Sequence, residues 1–221
     1  MRFCYYSLKE VSHAALKSRS TMNRSSEGDV LTKKQILIAT EETLRHFGVA
    51  KTSITDVAKA LHVSHGTIYR HFKSKKEILE AATEMWLNEK IIAPLTAVYE
   101  DSSLKGAAHV KAYIKKLFKL KRYYASEDEE LFAMYAKVTG ECSEMVNKSI
   151  VHMVKQLSVL LKECDTKSND HEELARGIFF ATERFHHPAH AYEWKKGTIE
   201  EEFESVWSLL ENGFLAFTEK S

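Results

Sequence analysis

The sequence contains few of the residues that interrupt helices. Among its 221 residues are only two prolines and eight glycines, the two residue types least favourable in a helix interior. It also lacks a segment in which apolar and polar residues alternate over the length of a strand. These absences predict an all-α fold. The 44% of hydrophobic residues suffice for a sizeable core in a chain of this length.

Cysteines and long apolar runs are scarce as well. The three cysteines, Cys4, Cys142 and Cys164, lie far apart, which argues against a disulfide framework and against a four-ligand zinc site. No apolar run approaches the roughly twenty residues that a membrane span needs, and the N-terminus lacks the apolar core of a signal peptide. We therefore expect a cytoplasmic protein with free thiols and no contact with a membrane.

The sequence motifs of common catalytic and cofactor sites are also missing. The chain contains no GxSxG nucleophile elbow, no P-loop, no dinucleotide fingerprint and no HExxH zinc motif. We therefore expect that the protein is not an enzyme and that it needs no cofactor.

The formal net charge of +1 hides an uneven distribution. Residues 30–76 contain nine Lys or Arg against three Asp or Glu, whereas residues 77–221 contain eighteen against twenty-five. Concentrated positive charge suits a segment that faces phosphates, and an acidic remainder argues against a second nucleic-acid site. We therefore divide the chain into a head, residues 30–76, and a body, residues 77–221. Residues 1–29 are predicted to be a poorly ordered arm or an upstream extension.

Residues 53–72 predict two short helices joined by a tight turn. Ser53 and Asp56 have the spacing of a capping box, in which each side chain bonds the other residue's amide at a helix start. The first helix ends near Leu61, and Ser64 caps the second. Two such helices form the helix-turn-helix motif that reads DNA. The candidate DNA contacts lie on and beside these helices: Ser53, Ser64, His65, Gly66, Thr67, Tyr69, Arg70, His71 and Lys75.

Longer helices are predicted on both sides of this motif. Residues 31–48 form an amphipathic helix that Gly48 ends in a left-handed C-cap. Ser74 and Glu77 have the spacing of a second capping box, which starts a long helix that Pro94 breaks or kinks near residue 92.

Apolar residues at helical spacing continue through the body. They predict five further helices over residues 104–124, 126–140, 145–164, 172–187 and 199–218. Ser126 and Glu129 are expected to form the capping box of the second of these.

Residues of several chemical kinds recur in one order and spacing along the head. They are Ile36-Leu37, Ala39, Gly48, Thr52-Ser53-Ile54, Asp56-Val57-Ala58, Val63-Ser64, Gly66-Thr67-Ile68-Tyr69 and His71-Phe72-Lys73-Ser74-Lys75. This pattern resembles the tetracycline-repressor (TetR) family of bacterial transcription regulators. One departure is His62, two residues before Ser64, where the family usually has glycine. A left-handed backbone costs more at histidine than at glycine, so we expect a slightly re-shaped turn.

The resemblance implies an N-terminal three-helix DNA-binding head and a larger helical body in a repressor that binds a palindromic operator in double-stranded DNA as a homodimer. In this family the two C-terminal helices form a four-helix bundle with the partner's pair. The predicted dimer interface is the apolar stripe on the last two helices: Leu174, Ile178, Ala181, Phe185, Phe203, Val206, Trp207, Leu210 and Phe214. A stripe of this size also fits an intramolecular core.

The resemblance further implies a small-molecule inducer in the body, whose binding changes the separation of the two heads through the long helix after Ser74. The candidate ligand-binding residues are aromatic or sulfur side chains: Tyr113, Phe118, Tyr124, Phe132, Tyr135, Met145, Met153 and Phe179. Such side chains more often fill an ordinary core.

Two alternatives stay open at the level of sequence. The first is a metal- or redox-responsive regulator that senses through His186, His187 and His190, or through Cys142 and Cys164. Packing at a helix end is the commoner role of such histidines, so we assign no metal site. The second alternative is a helical interaction protein that does not bind DNA.

Overall fold

The structure is a computed structural model and describes residues 31–141 and 144–215. Ten α-helices make up most of these residues. They are α1 (Lys33–Lys51), α2 (Ile54–Ala60), α3 (His65–His71), α4 (Lys75–Leu87), α5 (Ala93–Tyr99), α6 (Gly106–Glu127), α7 (Glu129–Gly140), α8 (Glu144–Leu161), α9 (His171–Ala181) and α10 (Ile199–Phe214). Within these residues, extended pairing is confined to an isolated bridge between Thr166 and Leu215. The predicted all-α fold is confirmed. Predictions for residues 1–29, Cys142 and residues 216–218 lie outside the described residues.

Helices α2, α3 and α4 begin at the three predicted serine caps. Ser53, Ser64 and Ser74 each accept a hydrogen bond from the amide three residues ahead. The predicted capping box is complete at Ser53. At α4 it is half formed, because the Glu77 carboxylate accepts a hydrogen bond of 2.7 Å from the amide of Lys73 and thus satisfies the residue before the cap.

Helix α1 extends one turn past its predicted end. Gly48 has a φ of +77° and a ψ of 160°, a conformation that glycine adopts without a steric penalty. The chain turns helically again as far as Lys51, because the Gly48 carbonyl accepts hydrogen bonds from the amide of Thr52 at 3.0 Å and from its hydroxyl at 2.8 Å. Gly48 therefore kinks α1 and does not end it.

The turn between α2 and α3 keeps a left-handed backbone at His62, where the sequence predicts a slightly re-shaped turn. Its φ is +55°, and His62 is the one non-glycine residue with a positive φ in the described part of the chain. The amides of His62 and Val63 donate to the carbonyls of Lys59 and Ala58 at 3.1 and 3.0 Å. The His62 side chain is exposed. It therefore gains no burial energy that could offset the steric cost of this conformation.

Pro94 does not break the long helix. Helix α4 continues through a π-helical turn, Asn88–Ile92, into α5, and Pro94 lies in the first turn of α5. The amide of Ala93 donates to the carbonyl of Asn88, five residues back. This wider turn accommodates a residue that has no N–H to donate. Of the two predicted alternatives, the break near residue 92 is wrong and the kink stays a prediction.

Ser126 does not cap α7. It lies within α6, where its hydroxyl donates to the carbonyl of Tyr123 at 3.0 Å. Helix α7 begins after Asp128 instead. The predicted capping box is wrong because this serine bonds backward into its own helix.

Helix α9 ends at Ala181, well before the predicted residue 187. The Thr182 hydroxyl donates to the Ile178 carbonyl at 2.9 Å and competes with continued helix formation. Two short 3₁₀ helices follow, Glu183–Phe185 and Pro188–Glu193.

The apolar stripe on the last two helices belongs largely to the core of one chain. Phe185, Phe203 and Trp207 are at most 1% exposed, and Phe203 stacks on Phe118 of α6 with ring centroids 5.7 Å apart. Their assignment to a dimer interface is wrong, because an enclosed side chain offers no surface to a second copy. Of the other predicted interface residues, Ile178 and Phe214 are buried, and Leu174, Ala181, Val206 and Leu210 are partly or fully exposed.

The described residues from Thr32 onward form one compact unit, in which α1 and α4 pack against α7. The division into head and body at residue 76 therefore stays a prediction. No helix among the described residues has the length and apolar character needed to cross a membrane.

Replacing His62 with glycine should stabilise the protein. Relief of left-handed strain is worth roughly 1–2 kcal/mol, more than the roughly 0.5–1 kcal/mol of additional entropy that glycine loses on folding. We expect His62→Gly to raise the free energy of unfolding, measured by urea denaturation, by about 0.5–1 kcal/mol. The matched control is Lys59→Gly at an exposed position of α2, which should lower it by about 1 kcal/mol. A less stable His62→Gly variant would show that the turn is unstrained.

Candidate DNA-binding surface and ligand cleft

Helix α3 directs one side into the protein and the other to solvent. Ile68 and, just past the helix end, Phe72 are buried, because side chains four residues apart lie on one side of a helix. The predicted contacts on the remaining surface are exposed at His65, Gly66, Tyr69 and Arg70 and half-buried at Thr67 and His71. The structure brings these six residues together on one surface, which we name the α3 face.

Hydrogen bonds between side chains order the start of the α3 face. The Ser64 hydroxyl lies 3.0 Å from the Thr67 hydroxyl, and the Arg70 guanidinium donates to that hydroxyl over a long 3.5 Å. A β-carbon added at Gly66 would meet the Ser64 hydroxyl oxygen at 3.7 Å, an ordinary contact. The packing of the protein therefore does not require glycine at this position.

Ser53 and Lys75 are already engaged inside the head. The Ser53 hydroxyl lies 2.5 Å from the Asp56 carboxylate, and hydrogen bonds from Ser53 lower the pKa of Asp56. The Lys75 ammonium donates to the carbonyl of Val49 at 3.0 Å, which ties the start of α4 to the end of α1. Any phosphate bound by these two residues has to share them with these internal partners.

The sequence-based assignment missed more exposed lysines beside Lys75. Lys73 and Lys76 are exposed, whereas Lys75 is half-buried. Helical geometry is the signal that separates Lys76 from Lys75, because successive residues point about 100° apart around a helix. Lys73 and Lys76 thus extend the cationic rim of the head.

A bidentate ion pair joins α1 to the junction of α6 and α7. The Arg45 guanidinium donates to the Asp128 carboxylate from Nε at 3.2 Å and from Nη2 at 3.0 Å, and Asp128 is the single residue between the two body helices. Glu41, one turn before Arg45, lies 3.6 Å from the same guanidinium. Arg45 and Asp128 are 83 positions apart in the sequence, and no sequence pattern indicates their contact.

A cleft of about 560 Å³ lies beside α6, and we name it the α6 cleft. Its lining comes from α6, the start of α7 and the segment around the second 3₁₀ helix: Arg122, Ala125, Ser126, Phe132, Ala191, Tyr192, Trp194 and Lys195. Phe132 is the predicted ligand-binding residue in this lining. Tyr192 and Trp194 were missed because residues 188–195 lack the helical periodicity used to select candidates.

The other predicted ligand-binding residues are mainly core. Phe118 packs against Phe203, and the Tyr113 hydroxyl donates to Gln156 of α8 at 2.7 Å. The remaining candidates have three environments: Tyr124 and Tyr135 pack against Trp86, Met145 lines a separate groove of about 190 Å³, and Met153 and Phe179 are buried.

The histidines after α9 have separate partners. His186 is buried, with its Nε2 atom 3.1 Å from the Phe179 carbonyl, and this burial lowers the pKa of His186 to about 3. His190 lies 3.2 Å from the Glu193 carboxylate. No three His, Cys, Asp or Glu residues of the described chain are grouped to hold a metal ion. The metal-responsive alternative therefore gains no support.

Cys164 is a poor candidate for a redox sensor. Its sulfur atom lies 3.6 Å from the Leu160 carbonyl, and burial raises the pKa of its thiol. A thiol that stays protonated reacts slowly with oxidants. The redox alternative thus gains no support from Cys164.

Two family models match the chain. The model described as bacterial regulatory proteins, tetR family, matches residues 36–82. The model described as the tetracyclin repressor-like C-terminal domain matches residues 106–207. The chain belongs to the TetR family. In this TetR-family chain the first match includes α2 and the α3 face, and the second includes the complete α6 cleft.

Relatives of this TetR-family chain resemble it over different lengths. It is 37% identical over 60 residues to the HTH-type transcriptional regulator TtgR of Pseudomonas putida, a stretch that is 27% of this chain and 29% of TtgR. It is 33% identical over 75 residues to the probable acrEF/envCD operon repressor of Escherichia coli, 34% of this chain and 33% of that protein. The chain thus spans about a third of the length of the curated relatives it matches. The transcriptional regulator FadR from Bacillus subtilis, in complex with stearoyl-CoA, shares the fold with a TM-score of 0.57 and 20% identity over 81% of this chain and 97% of FadR.

The buried neutral His186 predicts that the TetR-family chain loses stability in acid. In the unfolded chain His186 has an ordinary pKa of 6.5, so below that pH the unfolded state binds a proton that the folded state does not. This should lower the free energy of unfolding by about 2 kcal/mol between pH 6.5 and pH 5.

Urea denaturation at both pH values measures this loss. His186→Gln should remove it, whereas the control His152→Gln, at an exposed position, should retain it. The same pH dependence in the wild type and in His186→Gln would contradict a neutral buried histidine.

Proposed function

We propose that this chain is a DNA-binding transcription regulator that reads the major groove with α3. The observation that carries the proposal is the α3 face, on which imidazole, hydroxyl and guanidinium groups surround an exposed glycine. Such groups bond base edges and phosphates. The uneven charge of the chain supports the same assignment, because the positive charge is concentrated in residues 30–76.

The proposed contacts divide into two functional sets. Residues at the rim of the head hold phosphates, which fixes the orientation of the head without reading sequence: Ser53, Ser64, Tyr69, Lys75 and, added from their exposure, Lys73 and Lys76. Residues of the first turns of α3 lie nearest the base edges and carry specificity: His65, Gly66, Thr67 and Arg70. His71, half-buried near the helix end, belongs to the edge of the surface.

A homodimer is proposed through a groove between α9 and α10. This groove of about 410 Å³ includes Gly177, Leu209 and Gly213 in its lining, and Leu209 is 76% exposed. The Phe180 side chain on α9 is 49% exposed. Exposed apolar side chains grouped in this way favour an interaction surface, and glycines allow a second helix to approach closely. In a dimer with twofold symmetry, each of the two α3 faces can bind one half of a palindromic operator.

The regulator is proposed to be a repressor that a small-molecule inducer releases from DNA. The Escherichia coli relative is named as a probable operon repressor, and the FadR structure holds stearoyl-CoA. The α6 cleft is the proposed inducer site. Its signal has two short routes to the head: the contact of Phe132 with Trp86 of α4, and the ion pair of Arg45 with Asp128. A regulator of this kind meets its DNA in the cytoplasm, which is the location we propose.

Replacing Gly66 with alanine tests the proposed position of α3. The added methyl group fits the free protein and favours the helix by about 1 kcal/mol, so thermal stability should be equal or higher. Against DNA selected from random duplexes by the full-length protein, we expect affinity to fall by about tenfold or more, because the methyl group meets the DNA surface. The matched control is Gly197→Ala, where an added β-carbon has no neighbour within 4 Å. Unchanged affinity in Gly66→Ala, or failure of the wild type to select any motif, would contradict the proposal.

Replacing Leu209 with glutamate tests the proposed dimer. Because Leu209 is exposed in the single chain, the variant should fold, whereas a charge in an apolar interface should cost several kcal/mol of association. Light scattering should report half the mass of the wild type. The control Val151→Glu changes another exposed apolar residue, on α8, and should remain dimeric. A dimeric Leu209→Glu variant would place the interface elsewhere.

A further inference from the structure

A buried lysine without an acidic partner lies in the body. Lys121 of α6 is 2% exposed, and its ammonium nitrogen lies 3.5 Å from the ring centroid of Tyr135 and 5.8 Å from that of Trp86. Among the described residues, no carboxylate pairs with it. Aromatic faces stabilise a cation only in part, and burial holds the pKa of Lys121 well below its ordinary value. A bound anion could therefore serve as the missing ion-pair partner of Lys121.

Two further buried polar atoms nearby lack hydrogen-bond partners. They are the Trp86 indole Nε1 atom and the Thr83 hydroxyl, one turn earlier on α4. Buried polar groups are almost always hydrogen-bonded. The Trp86 indole that lies beside Lys121 is thus itself short of a hydrogen-bond acceptor.

The α6 cleft is separated from Lys121 by one layer of rings. Phe132 lines the cleft, and its ring centroid lies 5.6 Å from that of Tyr135 and 6.4 Å from that of Trp86. Ala125, which also lines the cleft, is one turn after Lys121 on the same side of α6. Phe132 is therefore the side chain that has to move for a ligand in the cleft to reach the Lys121 ammonium.

The lining of the cleft has the chemistry to accept an apolar anion. It contains three aromatic side chains, two cationic residues and no acidic residue. Arg122 and Lys195 at its edge are paired with Glu200 and Glu129 at 2.9 and 4.0 Å, so neither is buried or unpaired as Lys121 is. Lys121 is thus the strongest site for a negatively charged group.

The geometry points to an organic acid as the ligand of this body. Its apolar or aromatic part fills the α6 cleft against Phe132 and Trp194, and its carboxylate pairs with Lys121 behind the Phe132 ring. A bound carboxylate favours the protonated form of Lys121, so we expect binding of the acid to be accompanied by proton uptake. This inference rests on the proposed function only in naming the ligand as an inducer, because the binding itself involves no DNA.

Other titratable groups around Lys121 do not supply the acid. Tyr135 faces it from α7, and burial raises the pKa of Tyr135 above its ordinary value, so this phenol stays neutral. In the segment after α9, burial is the main cause that lowers the pKa of His186 and His187, and the Lys121 charge lowers both further. Proton uptake on binding therefore has to be assigned with variants at Lys121.

Calorimetry on the full-length protein without DNA tests the proposal. The probes are benzoate, 4-phenylbutyrate and octanoate, each compared with its primary amide, which has the same shape and no charge. We expect at least one acid to bind about tenfold more tightly than its amide. Titrations in two buffers with different ionisation enthalpies should show greater proton uptake per acid bound than per amide.

Variants at Lys121 assign the effect. Lys121→Met should fold, because an apolar side chain replaces a buried unpaired charge, and it should lose both the preference for the acid and the proton uptake. Lys121→Arg should keep the preference and lose the uptake, since arginine is already charged. The matched control Lys119→Met, at an exposed position of α6, should behave as the wild type.

Three results would overturn the proposal: equal binding of acids and amides, a retained acid preference in Lys121→Met, or no binding by any acid of the panel at millimolar concentration. Affinity of the same preparations for selected DNA, measured without ligand, separates this outcome from the proposed function. Lost acid binding with intact DNA binding refutes the ligand class alone, and lost DNA binding refutes the regulator alone.

Discussion

The enclosure of Trp86 is the contact on which the rest of the structure depends. Helix α4 begins in the head, where Lys75 bonds the Val49 carbonyl, and ends in the body, where rings of α6 and α7 surround the Trp86 indole. One helix therefore sets the position of α3 relative to the core of the body. Truncation of a buried tryptophan costs roughly 3–5 kcal/mol, whereas a partly exposed ion pair such as Arg45 with Asp128 contributes about 1 kcal/mol or less. Burial of the Trp86 indole therefore contributes most to holding α4 against the body, and the Arg45–Asp128 ion pair fixes the orientation of α1 against the body.

The same contact connects the two proposed activities. The rings that flank Lys121 are those that enclose Trp86, so a ligand that enters there changes the packing against α4. A ligand shifts an equilibrium only by its difference in affinity for two arrangements. Here that difference comes from a charge, because a carboxylate stabilises the arrangement in which the Lys121 ammonium is formed. In this proposal the head responds through α4 and needs no contact with the ligand.

The predictions that failed share a physical cause. The stripe containing Phe203 and Trp207 is apolar at helical spacing, but periodicity reports that a face is covered and not what covers it. Here α6 of the same chain covers it. Pro94 has the right chemistry to break a helix, yet a π-helical turn before it removes the conflict. Ser126 has the spacing of a cap, yet its hydroxyl bonds the preceding turn. In each case a neighbour outside the motif changed the outcome.

The sequence by itself determined the all-α class, the three serine caps and the outward set of side chains on α3. Those features depend on interactions between residues within about five positions, which a short motif contains completely. Only the tertiary structure decided which apolar stripe was internal, how α1 meets Asp128, where the α6 cleft lies and that Lys121 is enclosed without an acid. Each of these depends on segments that are distant in the chain, such as Arg45 and Asp128 at a separation of 83 residues. Their meeting is set by the packing of whole helices, and no local pattern records it.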